Sequence, residues 1–169
     1  MNARVLEKLK LENALRGAIK RQEFQLHYQA QFDLETDELC GYEALIRWFH
    51  PREGMIPPTK FIPIAEATGL IVELGAWILQ EACEFAARLA SQDLKNNISI
   101  NLSARQFKDA NLVSTLDKII KQTGVEPKRL HLELTESMLM GHVEAAILQL
   151  HQLKALGVSI SIDDFGTGY

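Results

Sequence analysis

Apolar positions in this chain recur with two different spacings, one typical of helices and one typical of strands. Residues 70–90 carry apolar side chains at helical spacing, whereas residues 158–163 alternate strictly between aliphatic and polar side chains. Together with turn residues, these spacings predict a helix over 4–21, extended runs over 24–32 and 39–48, a short helix near 60–66, helices over 70–90, 107–123 and 136–155, and strands over 97–102, 129–134 and 158–163. Gly124 to Pro127 is expected to stop one helix, and Gly157 is expected to cap another.

The order of these elements predicts an α/β fold. A polar, turn-like segment at 33–38 separates the first two extended runs, so we expect them to form an antiparallel hairpin. After the hairpin, helices and strands alternate, which predicts a parallel sheet with right-handed crossover connections.

The two faces of each predicted strand differ in polarity. In the strand near 130, for example, Leu130, Leu132 and Leu134 oppose His131 and Glu133. A doubly wound sheet covered by helices on both faces would show continuous apolar runs instead. A half-solvated antiparallel sheet would give the same alternation, but it does not explain the helices between the strands. We therefore predict a barrel with helices outside and a polar lumen.

Composition narrows the class of protein. The 169 residues carry a net charge of −4 and a pI near 5.7, so there is no overall basic surface for duplex nucleic acid. Cys40 and Cys83 are isolated and fit no metal-ligand spacing, which is typical of a reducing compartment. The N-terminus is unlike a signal peptide, and no apolar run reaches membrane-spanning length. We expect a cytoplasmic protein, or the cytoplasmic domain of a larger and even membrane-anchored one, without membrane contact from this segment.

Oxygen-bearing side chains stand at the ends of four predicted strands. They are Glu43, Asn101, Glu133 and Asp163, with Asp164 beside the last, at separations of 58, 32 and 30 residues. About 30 residues is the length of one strand plus one returning helix. These side chains are therefore expected at one end of neighbouring parallel strands, facing one cavity, which is where α/β barrels place their chemistry.

The chemistry of this set favours a hard cation. Carboxylates and an amide without cysteine or a suitably placed histidine are the ligands of Mg²⁺, Mn²⁺ or Ca²⁺. Adjacent aspartates would allow a second metal, and paired metals suit phosphoester hydrolysis. Arg47 lies on the same strand face as Glu43 and is placed to take a phosphate. Carboxylate pairs at barrel strand ends also serve glycoside hydrolysis. Any one of these acids alone more often caps a helix or accepts hydrogen bonds from the backbone of a loop.

Several longer motifs make the chain recognisable. They are Tyr28-Gln29-Ala30-Gln31, Tyr42-Glu43-Ala44-Leu45-Ile46-Arg47-Trp48, Phe61-Ile62-Pro63-Ile64-Ala65-Glu66, Asn101-Leu102-Ser103-Ala104-Arg105-Gln106-Phe107, Glu133-Leu134-Thr135-Glu136-Ser137 and Asp163-Asp164-Phe165-Gly166-Thr167-Gly168-Tyr169. With these motifs the chain, from about residue 12 to its last residue, resembles the EAL domain, a family of cyclic di-GMP phosphodiesterases. Ala30 departs from the family, which usually has proline there, but it lies outside the inferred site.

The resemblance implies a fold, a reaction and a set of roles. The fold would be a TIM-like (β/α)8 barrel with an antiparallel first strand, present here through about strand five. The reaction would be metal-dependent hydrolysis of cyclic di-GMP to linear pGpG. Implied roles are Mg²⁺ or Mn²⁺ held by Glu43, Asn101, Glu133 and Asp163, a second metal served by Asp164, dinucleotide contacts from Gln29 and Arg47, and a loop-organising role for Glu136. Glu43, Glu133, Asp163 and Asp164 would form the metal-dependent catalytic set.

Partners and alternatives also follow from the resemblance. An upstream sensory or GGDEF domain is expected, and homodimerisation is consistent with the family. An inactive receptor for cyclic di-GMP and a scaffold or signalling module are the alternatives. The receptor is disfavoured because degenerate relatives usually lose the first Glu, the Asn or one Asp, all of which are present.

The expected domain organisation is a lead or linker helix over 1–22 and a barrel domain over 23–169 that is incomplete at its C-terminus. The family pattern continues past Tyr169 with a lysine, a later glutamate and a late glutamine. A barrel of this type needs about 250 residues. We therefore expect the 169 residues to represent part of a longer chain and to have no turnover by themselves.

Overall fold

The computed structural model describes residues 3–94, 96–139 and 143–163, with the side chains of 3, 4, 137 and 163 left out of the description. Its helices are α1 (Ala3–Ala18), α2 (Pro58–Thr68), α3 (Leu70–Ser91), α4 (Ala104–Phe107), α5 (Leu112–Thr123) and α6 (Val143–Ala155). Its strands are β1 (Phe24–Phe32), β2 (Leu39–His50), β3 (Gly54–Ile56), β4 (Asn97–Asn101), β5 (Leu130–Thr135) and β6 (Ser159–Asp163). Single 3₁₀ turns at Pro127–Arg129 and Glu136–Met138 flank β5.

One sheet contains all the strands of the described residues, in the order β1-β2-β4-β5-β6. The pair β1–β2 is antiparallel, which confirms the predicted hairpin. The pairs β2–β4, β4–β5 and β5–β6 are parallel, which confirms the predicted alternation. The short β3 pairs antiparallel with the end of β2, Trp48 opposite Ile56, and was not predicted. Three residues between prolines are too few to show the two-residue period from which strands are predicted.

The polarity of the strand faces matches their burial. Leu130, Leu132 and Leu134 have no exposed surface, and they join the helices in one hydrophobic core. On the opposite face, His131 and Glu133 are only partly buried. The alternation predicted from the sequence is therefore the division between the helix-covered face and the polar face of the sheet.

Two of the predicted helices are wrong in extent. The helix predicted over 107–123 begins only at Leu112, since α5 spans Leu112–Thr123. The residues before it form a separate short helix, α4 (Ala104–Phe107), which the Ser103 side chain caps and which was not predicted. The helix predicted over 136–155 begins as the 3₁₀ turn at Glu136–Met138, and α6 starts only at Val143, while residues 140–142 lie outside the described residues. The predicted stops are confirmed, since Gly124 and Gly157 both have positive φ, 69° and 93°.

Helix α1 ends at Ala18, earlier than predicted, and Gln22 turns the chain with a φ of +56°. Leu15 and Ala18 are buried in the core, so the C-terminal half of α1 packs against the rest of the domain. The boundary between a lead helix and the barrel near residue 22 stays a prediction.

No single helix among the described residues is long and apolar enough to cross a membrane; α2 and α3 pass that test of length and composition only as a pair, and they are bent by 119°.

Candidate functional site

The centre of the candidate site is a contact between two of the predicted oxygen-bearing residues. The Asn101 side-chain amide donates a hydrogen bond of 2.7 Å to the Glu43 carboxylate. Asn101 is the last residue of β4, as predicted, but Glu43 lies in the middle of β2 and not at its end. Glu43 is in register with Ser99, two residues before Asn101, so the contact runs diagonally between neighbouring parallel strands.

The next two parallel strands, β5 and β6, carry or directly precede the remaining predicted metal ligands. Glu133 is in register with Asn101, and Asp163 is in register with Thr135 on the neighbouring strand. Glu133 is partly buried on the polar face of β5, and it interacts with other groups of the structure. The Asp163 side chain and all of Asp164 lie outside the described residues, so the structure locates only the backbone of Asp163.

The predicted substrate-contacting residues lie beside this pair. Gln29 of β1 is directly opposite Glu43 in the antiparallel register, and its side chain is exposed. Arg47 lies farther along β2 on the same face, opposite Gln25, and is partly buried. Its guanidinium donates a hydrogen bond of 2.9 Å to the Ile46 carbonyl. Arg47 therefore lies beyond Glu43, toward the end of β2 where β3 pairs with it.

Glu136, predicted to organise the loop after β6, lies in the 3₁₀ turn that directly follows β5. It is partly buried and makes interactions within the structure. The loop that it would organise, residues 164–169, lies outside the described residues.

The donor set fits a hard divalent cation. Glu43 contributes a carboxylate, Glu133 contributes another on β5, and the Asn101 amide that contacts Glu43 carries an oxygen on the same planar group. Such oxygens are the ligands preferred by Mg²⁺ and Mn²⁺. Within the described residues, no three acidic, histidine or cysteine side chains come together as a metal site. The predicted ligand set differs from such a cluster, because it includes the Asn101 amide. It also includes Asp163 and Asp164, whose side chains lie outside the described residues.

The loop that follows Asn101 contains functional candidates that the sequence reasoning did not single out. Ser103 and Gln106 form reciprocal hydrogen bonds, and Arg105 reaches the end of α2. The Ser-x-x-Gln spacing is the sequence signature of such a capping box, so the sequence by itself indicates it.

Comparison with known proteins identifies the family of the chain. The sequence profile of the EAL domain matches residues 12–169, and the chain therefore belongs to the EAL domain family. Its fold is accordingly that of the TIM-like (β/α)8 barrels, to which the described residues contribute the antiparallel first strand and the parallel strands that follow.

Curated relatives are similar to this chain over its whole length. The chain is 46% identical over 170 residues to the bifunctional diguanylate cyclase/cyclic di-GMP phosphodiesterase MucR of Pseudomonas aeruginosa, covering 100% of this chain and 25% of that protein. It is 37% identical over 169 residues to the cyclic di-GMP phosphodiesterase PdeR of Escherichia coli, with 100% of this chain and 25% of that protein covered. The chain thus spans about a quarter of the length of these curated relatives.

Solved structures agree with the family assignment and with the fold. The PaMucR phosphodiesterase in its c-di-GMP complex superimposes with a TM-score of 0.91 at 45% identity, over 95% of this chain and 65% of that chain. The EAL enzyme Bd1971 in its cAMP- and cyclic-di-GMP-bound form gives a TM-score of 0.90 at 33% identity, over 99% of this chain and 47% of that chain.

Proposed function

We propose that this chain carries the metal-binding part of a cyclic di-GMP phosphodiesterase, which hydrolyses its substrate to linear pGpG. The observation that carries the proposal is the 2.7 Å contact between Asn101 and Glu43, with Glu133 in register with Asn101 on the next strand. Three neighbouring strands thus carry oxygen-bearing residues side by side, in a chain of a family whose curated relatives include cyclic di-GMP phosphodiesterases.

In this proposal the ligands of Mg²⁺ or Mn²⁺ are Glu43, Asn101, Glu133 and Asp163, and Asp164 serves a second cation. A bound divalent cation supplies Lewis-acid chemistry, polarising a phosphoryl oxygen and generating a nucleophile from water at neutral pH. Carboxylates held close together repel one another, since like charges disfavour the ionised form. Their convergence is therefore stabilised when positive charge lies between them.

The residues flanking the ligands bind and orient the dinucleotide. Arg47 is always charged and presents several N–H donors, so it can hold a phosphate group on the same strand face as Glu43. Gln29, opposite Glu43, offers a donor and an acceptor to the ring of the substrate. Glu136 is proposed to hold the loop after β6 in its active arrangement. In the reaction, water adds across one P–O bond, leaving a 5′-phosphate on one nucleoside and a free 3′-hydroxyl on the other.

The upstream partner belongs to the same proposal. MucR is named as both a diguanylate cyclase and a cyclic di-GMP phosphodiesterase, which supports an upstream GGDEF or sensory domain in the protein that contains this chain. Homodimerisation stays a prediction.

The test is conversion of cyclic di-GMP by the protein at its full natural length, followed by liquid chromatography and mass spectrometry. We expect pGpG to form with Mg²⁺ or Mn²⁺ and to disappear with EDTA. Glu43→Gln should abolish turnover, whereas Glu35→Gln, an exposed acid in the β1–β2 turn, should not change it. Binding of cyclic di-GMP without turnover by the unmodified protein would instead identify a receptor. Activity that survives EDTA would contradict the metal dependence.

The same assay on residues 1–169 alone should give no pGpG. In the described residues, β1 and β6 are the two ends of an open sheet, so the polar face is not enclosed as it is in a closed barrel. Metal-dependent turnover by this chain alone would refute that expectation.

A further inference from the structure

The loop after β4 is held at both of its ends by hydrogen bonds. Directly after Asn101, the Leu102 amide donates to the Glu133 carbonyl at 3.0 Å, and the Leu102 side chain is buried. One residue later, Ser103 and Gln106 form a capping box. The backbone N–H of Gln106 donates to the Ser103 hydroxyl at 3.2 Å, and the backbone N–H of Ser103 donates to the Gln106 side-chain oxygen at 3.0 Å. The backbone on the C-terminal side of Asn101 therefore has little freedom.

The Gln106 side chain is in turn held against α3. It is buried, and its amide nitrogen lies only 1.7 Å from where an ideal Cβ at Gly75 would stand. Glycine in the interior of a helix is unfavourable compared with alanine, so its presence at the buried position 75 needs a reason. The reason is close approach, because any side chain at this position would displace Gln106.

Arg105 connects the same loop to α2. Its guanidinium donates to the carbonyl of Glu66 at 2.7 Å and to that of Ala67 at 3.4 Å, two of the last carbonyls of α2. The last carbonyls of a helix lack the usual i+4 amide partner, although the Glu66 carbonyl also accepts from the Gly69 amide at 3.3 Å. A cation at a helix C-terminus also meets a favourable dipole. The motif at 61–66 and the motif at 101–107, which are separate in the sequence, are thus one structural unit.

We infer that Ser103 and Gln106, held in place by Gly75, are positioning residues that set the affinity of the site for its divalent cation by fixing the Asn101 side chain against Glu43. The inference rests on the proposed function, since it assigns these residues a role at the proposed metal site. They act through Asn101 and not by contact with the cation. Residues that orient metal ligands from outside the coordination sphere commonly change metal affinity or activity by about 10–100-fold when replaced.

The inference is tested with Mn²⁺ as the probe in the protein at its full natural length. Mn²⁺ affinity is measured by electron paramagnetic resonance without substrate, and kcat is measured against Mn²⁺ concentration. Ser103→Ala should weaken Mn²⁺ binding by about 10-fold or more, and Ser103→Thr, which keeps the hydroxyl, should restore it. Ile119→Val, a buried change in α5, is the control for a general loss of stability and should leave Mn²⁺ affinity unchanged.

A double-mutant cycle tests the role of Gly75. Gly75→Ala and Gln106→Ala should each weaken Mn²⁺ binding, because each displaces or removes the capping side chain. The double variant should bind no more weakly than Gln106→Ala alone, since the added methyl group then has no side chain to displace. Additive losses would mean that the two residues act independently, which would overturn the proposed unit.

Asn101→Ala separates this inference from the proposed function. If Asn101→Ala weakens Mn²⁺ binding while Ser103→Ala and Gln106→Ala leave it within about twofold, the metal site stands and the positioning role is overturned. If Asn101→Ala leaves Mn²⁺ binding unchanged, both the metal site and the positioning role are wrong. Loss of Mn²⁺ affinity in all three, with rescue by Ser103→Thr, supports both.

Discussion

Glu23 and Trp48 form a buried hydrogen bond that joins the segment after α1 to the strand carrying the candidate site. The Trp48 indole donates to the Glu23 carboxylate at 2.8 Å, and both residues lie in the core. Arg21 donates to the same carboxylate. Because a carboxylate in an apolar core is costly without partners, these donors stabilise the segment that connects α1 to β1.

Trp48→Phe should destabilise the protein by about 1–3 kcal/mol, because the buried Glu23 carboxylate loses its indole donor while most of the aromatic packing is kept. Urea unfolding measures this change. Trp77→Phe is a suitable control, since Trp77 is another aromatic residue next to Phe24 and is only partly buried. Equal losses in the two variants would show that packing, and not the hydrogen bond, is responsible.

The same carboxylate should make stability depend on pH. Burial raises the pKa of Glu23, but the hydrogen bonds from Arg21 and Trp48 outweigh burial and leave the pKa below its usual value. The stabilisation is therefore complete above the ordinary glutamate pKa, about 4.3, and is lost as pH falls through the lower pKa of the folded state. Unfolding free energies at pH 7, 5, 4 and 3 should show the difference between unmodified protein and Glu23→Gln shrinking toward pH 3. A constant difference would contradict this linkage.

Leu132→Ala should cost about 2–5 kcal/mol, because Leu132 has no exposed surface and its removal leaves a cavity between β5 and the helices. Gln25→Ala, an exposed position on the polar face of β1, should change stability by less than about 0.5 kcal/mol. Both values come from chemical denaturation under identical conditions. A similar cost at the two positions would mean that the strand faces are assigned wrongly.

Gly69→Ala should be more destabilising than Gly124→Ala. Both glycines have positive φ, 84° and 69°, where an L-residue costs about 1–2 kcal/mol. A Cβ at Gly124 would meet open space, whereas one at Gly69 would come within 3.1 Å of the Arg105 guanidinium. Thermal unfolding of both variants, alone and with Arg105→Ala, should show the extra cost at Gly69 disappear when Arg105 is absent.

Cys40 should react with a thiol reagent in the native protein, and Cys83 should not. Cys40 is exposed, whereas Cys83 is fully buried. Burial raises the pKa of the Cys83 thiol to about 12, so almost no thiolate exists at pH 8. Mass spectrometry after labelling should give one adduct in native protein and two in urea. Native Cys40→Ser should give none, and labelling of that variant without urea would contradict the buried position.

Much of the fold follows from local patterns. The β1–β2 hairpin, the parallel order of the later strands and the buried leucines of β5 were predicted from periodicity and turn residues and are confirmed. The errors in the predicted elements occur where the spacing of apolar residues gives no information. Strand β3 is too short to show a period, and the predicted helix over 107–123 begins too early because it includes the end of α4 and the turn before Leu112.

The candidate site was predictable in its chemistry but not in its contacts. Glu43, Asn101 and Glu133 were identified from their residue types and from spacings typical of βα units. Glu43 proved to lie inside β2, since that strand continues to His50 to pair with β3. The roles assigned to these residues and to Asp163 and Asp164 stay predictions.

The sequence by itself determined the types of the elements, the polar and apolar faces of the strands, and the family, because each depends on residue types at short, regular separations. Only the tertiary structure decided that Asn101 contacts Glu43, 58 residues away, and that Gln106 packs on Gly75. Contacts of this kind depend on strand register and on how closely helix and loop approach. Register and approach are set by the packing of the whole domain, which no local period encodes.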